Sequence, residues 1–208
     1  MLPLYHDLDG RTVVIVGGGS VAARRARKLA READVTVVAP EFDDRFEGIP
    51  CETIERRVQP EDAADLVADA FLVVAATDDH SLNDAVADAA RNAGCLVNRA
   101  DETADVVMPS LAESERLSVA ISTGGASPAV CRYLRQEIDP ILNRTDPMVD
   151  LQADLREALR ERNHLFEDRR AALRAVLDSD EVWVALEAGK AERARERAWA
   201  VVDETIEN

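Results

Sequence analysis

The chain has 208 residues, 47% of them hydrophobic but only 4% aromatic, so its core must be built from Val, Leu, Ile and Ala. With 41 acidic against 25 basic residues it carries a formal net charge of -16, which excludes binding of nucleic acid through a basic surface. No apolar run approaches the roughly 20 residues of a membrane-spanning helix. The opening MLPLYHDLDG is too short and too acidic for a signal peptide. These features together predict a cytoplasmic protein.

The acid is spread along the chain rather than massed in a tail, and the only lysines are Lys28 and Lys190. Such a surface suits high salt, since at molar ionic strength the Debye length falls to about 3 Å and self-repulsion is screened. A halophilic protein is expected. Cys51, Cys95 and Cys131 are odd in number and lack CxxC spacing, which points to a reducing compartment and no structural zinc.

Taken in order, Thr12–Val16 (TVVIV) predicts a strand buried on both faces. It runs into Gly17–Gly19, after which Val21–Ala33 carries apolar positions at helical spacing. Val35–Ala39 predicts a second buried strand, ended by Pro40. Glu52–Val58 predicts a third, and Asp62–Ala68 a helix. Phe71–Ala76 is another apolar strand. The helix Leu82–Ala93 is capped by Asp79 or Ser81 and closed by Gly94, and Cys95–Val97 is a short strand. This alternation implies βαβ units and a parallel, doubly wound sheet.

The composition shifts after about Thr103. Val106–Leu111 and Arg116–Ser122 predict a strand pair around Glu113-Ser114-Glu115, followed by a helix over Ala129–Ile138. Helices are expected over 147–162, 165–177 and 190–206, with a turn near Ser179–Asp180. The fold class is therefore α/β. A Rossmann-like domain over 1–104 precedes a strand region over 105–145 and a helical domain over 146–208.

Gly17-Gly18-Gly19-Ser20-Val21-Ala22 fits G-x-G-x-x-A between a strand and a helix. Gly17 permits the tight turn, Gly19 leaves room for a pyrophosphate, and Ala22 allows close helix–strand packing. The helix N-terminus supplies free N–H groups and a favourable dipole. Glu41 lies 22 residues beyond Gly19, near the expected spacing of about 20 for an acid on the ribose; falling after Pro40, it is equally placed to be solvated. No Arg follows at once to hold a 2′-phosphate, which favours NAD over NADP. Ala75 and Thr77 end a strand at the same edge, where small residues would admit a nicotinamide ribose. Asp79 reads as a helix cap. After the next strand, Asn98-Arg99-Ala100-Asp101 places a carboxylate where it could act as a general base, although an isolated loop Asp is more often a turn residue.

The blocks LPLYHDLDGRTVVIVGGGSVAARRARKL, VVAATDD, VNRAD, VVMPS and AISTGGASPAVCRYLRQEID occur in an order and spacing that resemble the siroheme synthase dehydrogenase/ferrochelatase family across residues 2–140. The resemblance implies a Rossmann domain, a dimerisation segment and a helical domain, assembled as a homodimer. It also implies NAD-dependent dehydrogenation of precorrin-2 to sirohydrochlorin and, in many members, insertion of ferrous iron.

Residue by residue, it implies cofactor contacts at Ser20, Val21, Pro40 and Glu41, and a shared acid–base carboxylate at Asp101. Relative to the bacterial fusion enzymes, the loop between Asp101 and Met108 is shorter, and Ser122-Thr123 replaces a pair of serines. A stand-alone form without the methyltransferase domain is expected, with precorrin-2 made by another protein.

The substrate is a polycarboxylate and the chain is acidic, so binding needs local positive charge or hydroxyls. Asn98, Arg99, Ser122, Thr123 and Arg132 are the candidates, with Arg135 beside them; Arg132 and Arg135 would equally suit a solvated helix face. Arg24, Arg25, Arg27 and Lys28 are expected to cover the outer face of the first helix. His6, His80 and His164 show no ligand spacing and are expected at the surface, so no resident metal is expected. Two alternatives stay open: a dehydrogenase whose product is chelated elsewhere, and a non-catalytic NAD-sensing dimer.

Overall fold

The computed structural model describes residues 2–102 and 105–207. The chain divides into two compact units, Met1–Met108 and Pro109–Asn208. The boundary expected at residue 104 lies outside the described residues.

In the first unit the elements run β1 (Thr12–Val16), α1 (Ser20–Leu29), β2 (Asp34–Ala39), β3 (Glu52–Glu55), α2 (Ala63–Val67), β4 (Leu72–Ala75), α3 (His80–Ala93) and β5 (Leu96–Arg99). The strands form one sheet in the order β3-β2-β1-β4-β5, with every pairing parallel. The expected doubly wound α/β sheet is present. Chain order reverses between β1 and β4, and there the strand ends open a crevice for ligands.

The side-chain alternation of β1 divides the core into two layers. Val13 and Ile15 face Ala22, Ala23, Ala26 and Leu29 of α1. Val14 and Val16 face the opposite layer, with Val67 of α2 and Leu82, Val86, Ala87 and Ala90 of α3. Fully burying a Val or Ile side chain stabilises the fold by roughly 1.5–3 kcal/mol, so this central strand anchors the unit. Three alanines on the inner face of α1 leave no bulk to hold it off the sheet.

Edge strand β3 is shorter than predicted. Its four residues are all exposed, so no buried face extends the pairing, and Val58 instead turns into the core on the α2–α3 side. Asp79 caps α3, accepting from the N–H groups of Ser81 and Leu82 at 2.9 and 3.1 Å. Gly94 closes that helix at φ +78°, a left-handed conformation that favours glycine.

The second unit starts with an antiparallel hairpin, β6 (Ser110–Glu113) and β7 (Ser118–Ile121). Four helices follow: α4 (Pro128–Glu161), α5 (Phe166–Leu177), α6 (Asp180–Glu187) and α7 (Ala191–Glu207). Helix α4 corrects the sequence expectation. The helix ending at Ile138 and the one starting at 147 are a single element of 34 residues, with Pro140 and Pro147 inside it.

Proline normally breaks a helix interior, but tertiary contacts hold this one together. Leu142, Met148, Leu151, Leu155 and Leu159 are buried along one face. Asp146 binds the hairpin turn, accepting from Ser114 Oγ at 2.7 Å and from the N–H of Glu115 at 2.9 Å. The sequence expectation also missed α6, where Val182, Ala185 and Leu186 share a buried face. No described helix is long and apolar enough to cross a membrane.

Candidate active site at the carboxyl edge of the sheet

The glycine loop between β1 and α1 has two different jobs. Gly17, at φ +131°, lies so close to β4 that a Cβ would overlap the carbonyl of Ala76, and a Cβ on Gly18 would overlap the carbonyl of Glu41. Both positions are glycine because the protein's own backbone fills the space. At Gly19, by contrast, a Cβ would meet nothing within 4 Å. Gly19 is also the N-cap of α1, with no side-chain cap and no acid in the first turn.

The N–H groups that open α1 therefore face an open cradle beside exposed Ser20. A helix start of this kind fits a dinucleotide pyrophosphate. The exposed side chain of Glu41 follows β2, with its backbone packed against Gly18, so the candidate ribose acid stands beside the loop. Pro40 is exposed between β2 and Glu41, and Val21 is half-buried in the first turn of α1.

Two of the expected cofactor contacts are drawn into the protein's own structure. Ala75 is wholly buried in the core layer beneath α2 and α3, so its side chain is not presented at the edge; its neighbour Ala76 is the residue against Gly17. The Thr77 hydroxyl is engaged within the protein, 2.8 Å from Asn83 Oδ1 and accepting from the Asp79 N–H at 3.2 Å.

Asn83, fully buried on α3, ties the ends of β4 and β5 together. Its Nδ2 donates to the Thr77 carbonyl at 3.0 Å and to Asp101 Oδ2 at 3.1 Å. Around Asp101 the sheet edge gathers a dense polar cluster. Arg99 donates from Nε to Oδ1 at 3.0 Å and from Nη2 to Oδ2 at 2.9 Å, a bidentate pairing. His80 Nδ1 lies 2.7 Å from Oδ2. The Asp101 side chain is 10% exposed, that of Arg99 5%, and that of His80 79%.

The paired Arg99 guanidinium holds the Asp101 carboxyl far below the usual carboxylate range, with Asn83 and His80 adding to its effect and burial opposing it. The same partnership raises the Arg99 pKa. A carboxylate so strongly stabilised as an anion is a weak proton acceptor.

Arg99, expected as a substrate contact, is held by partners within the protein. Its guanidinium is buried and shared among Asp101, Asp84 at 2.6 Å and Glu102 at 2.7 Å, so internal carboxylates take the charge. Asn98 is buried too, with Nδ2 donating to the Val106 carbonyl at 2.7 Å and Oδ1 left without a partner among the described residues. Arg25 turns inward rather than covering the outer face of α1. Its Nη2 donates to the Arg99 carbonyl at 2.9 Å, and burial lowers its pKa.

Ser122, Thr123 and Arg132 belong to the second unit. Ser122 Oγ accepts from the Gly124 N–H at 3.2 Å and Thr123 Oγ1 from the Ser127 N–H at 3.0 Å, so both hydroxyls shape the turn before α4. Arg132 is exposed on α4. Among the described residues, no group of three or more His, Cys, Asp or Glu side chains is arranged to hold a metal ion.

Sequence reasoning missed Asn83, His80 and Arg25. Asn83 had a readable signal, a polar residue on the apolar face of α3. The partnership of His80 with Asp101, 21 positions apart in the chain, had none.

Residues 4–110 match the family described as "Putative NAD(P)-binding", and residues 115–139 match the central segment of sirohaem biosynthesis proteins. A precorrin-2 dehydrogenase of Methanosarcina barkeri is 35% identical, covering all of this chain and 96% of its own length. The chain belongs to the precorrin-2 dehydrogenase family.

This family includes a solved structure, SirC, a precorrin-2 dehydrogenase, which superposes with a TM-score of 0.73 at 25% identity, covering 96% of this chain and 100% of its own. Siroheme synthase 3 of Aeromonas hydrophila is 33% identical over 95% of the chain, and siroheme synthase 2 of Cronobacter sakazakii 40% over 68%. The chain spans 43% and 32% of those two siroheme synthases.

Proposed function

We propose that this chain is an NAD-dependent oxidoreductase that converts precorrin-2 to sirohydrochlorin in siroheme biosynthesis. One juxtaposition carries the reading: the uncapped start of α1 at Gly19 and the Asp101 cluster stand at the same carboxyl edge of one parallel sheet. The family relationship supplies the substrate.

The N–H groups of Ser20 and Val21 would hold the pyrophosphate, and Pro40 and Glu41 would border the adenine ribose. When bound, the dinucleotide supplies the hydride acceptor. The chain's own residues then have to orient the macrocycle, exclude water and remove a proton. Asp101 provides the fixed negative charge that stabilises proton loss.

Three further points belong to the same proposal. The chain is a homodimer, supported by the exposed apolar residues Val130, Tyr133, Leu134 and Ile141 on α4, which a second copy would cover. It works in a cytoplasm of high salt, supported by its net charge of -16. Ferrous iron is a second substrate, inserted into sirohydrochlorin at the same site.

Anaerobic turnover of precorrin-2 with NAD in molar salt, followed by absorbance and repeated with ferrous iron, tests the reading. Formation of sirohydrochlorin is expected, and an iron step faster than the spontaneous one. No NAD-dependent change from folded, dimeric protein would overturn the dehydrogenase assignment and favour a sensing module.

A further inference from the structure

We infer that His80, not Asp101, accepts the proton released in the dehydrogenation, and that Asp101 acts through it as a positioning residue. The inference rests on the proposed function for the identity of the reaction. Its own basis is the geometry around the two side chains. Both oxygens of Asp101 are engaged by donors, from Arg99, Asn83 and His80, and its side chain is almost enclosed. His80 is mostly open to solvent, at the first position of α3 and at the ligand edge of the sheet.

Hydrogen-bond chemistry then assigns the imidazole tautomer. An ionised carboxylate only accepts hydrogen bonds, so His80 Nδ1 must carry the proton that lies between it and Asp101 Oδ2. The lone pair of neutral His80 is therefore on Nε2. Arg99 and Asn83 keep Asp101 ionised and immobile, and Asp101 in turn holds the ring by its inner nitrogen. A carboxylate orienting an imidazole in this way is a recurrent arrangement for proton transfer. Other charged groups lie near the pair: Asp79, the cap of α3, Asp84 on α3, Arg99 and Glu102 on either side of Asp101, and Arg25 of α1 at the Arg99 carbonyl. Arg99 is taken up by Asp84, Asp101 and Glu102.

The step balances as a two-electron oxidation. One hydrogen leaves the macrocycle with its electron pair, as hydride to the oxidised dinucleotide. A second leaves as a proton to His80 Nε2, the electrons of its bond forming the new double bond. The imidazolium returns that proton to solvent after product leaves.

The test compares wild type with His80→Gln and His80→Ala in anaerobic precorrin-2 turnover across pH. His80→Gln is expected to lower kcat by about 10²–10⁴-fold, with KM nearly unchanged and the acidic limb of the kcat/KM profile lost. Added imidazole should restore part of the His80→Ala rate. Without dinucleotide or substrate, ¹⁵N imidazole spectra should show His80 as the Nδ1–H tautomer, and Asp101→Asn should abolish that preference.

Wild-type turnover with His80→Gln equally active, or a loss of rate that keeps the acidic limb and ignores imidazole, overturns the inference alone. So does an Nε2–H tautomer in the wild type. An inert wild type overturns the proposed function and the inference with it.

Discussion

Arg99 grips both oxygens of Asp101, at 3.0 and 2.9 Å, across a single intervening residue. β5 ends at Arg99 and the chain bends over the next two residues, which brings the guanidinium and the carboxylate together over a short stretch of chain. Burial then makes the pair strong. It also makes both members dependent on each other, because an uncompensated buried charge is expensive.

Arg99→Met should therefore lower stability by about 3–5 kcal/mol, the range for breaking a buried ion pair from one side. Adding Asp101→Asn removes the stranded charge and should recover much of that loss. Urea midpoints of the two single variants and the double variant measure the coupling.

Acid should destabilise the wild type through Asp101. Its pKa is depressed in the folded protein, chiefly by Arg99, so its contribution is fully present above the unfolded value of about 3.9. That contribution is lost as pH falls below this value towards the lower folded one. Asp101→Asn should flatten this part of the stability curve, as thermal melts between about pH 5 and pH 2 would show.

For turnover, Asp101→Asn should lose at least about 100-fold in kcat while NAD affinity changes by less than about threefold, since its role is in proton transfer and not in holding the dinucleotide. Titration of NAD by fluorescence, beside single-turnover absorbance, separates the two. Retained turnover would remove Asp101 from the mechanism.

Gly18 and Gly19 should fail in different ways. Gly18→Ala meets the Glu41 backbone and should cost about 1–3 kcal/mol of stability, as overpacking does. Gly19→Asp has open space and should fold normally. It should nevertheless weaken NAD binding at least tenfold, about 1.4 kcal/mol, by placing an anion in the pyrophosphate cradle. Melting temperature and NAD titration on each variant check the distinction.

Salt should stabilise the protein. With a net charge of -16, raising KCl from about 0.1 M to about 1 M shortens the Debye length from about 10 to about 3 Å. The melting temperature should climb over that range, and a fall would argue against adaptation to high salt.

The layout of the first unit was legible in the sequence because its signals are local. Continuous β-branched runs such as TVVIV, a glycine turn, and the Asp79 and Gly94 caps each act within a few residues, and they set the parallel α/β alternation by themselves. Asp101 was singled out in the sequence through family resemblance, and the glycine loop through the space a pyrophosphate needs.

Long-range packing decided the rest. Local propensity ends a helix near Pro140, yet burial of Leu142, Met148 and Leu151 and the clamp of Asp146 on the hairpin carry α4 through both prolines. Arg99 looked like a free cation in the chain, and only the fold shows that Asp84, Asp101 and Glu102 converge on it. Gly18 stood as an unremarkable middle residue until the backbone of Glu41 was seen against it. Hydrophobic spacing determines which elements form and which faces they bury. Which charged groups meet at the sheet edge is decided by strand order and crossover, because those bring together His80 at the start of α3 and Asp101 just beyond the end of β5.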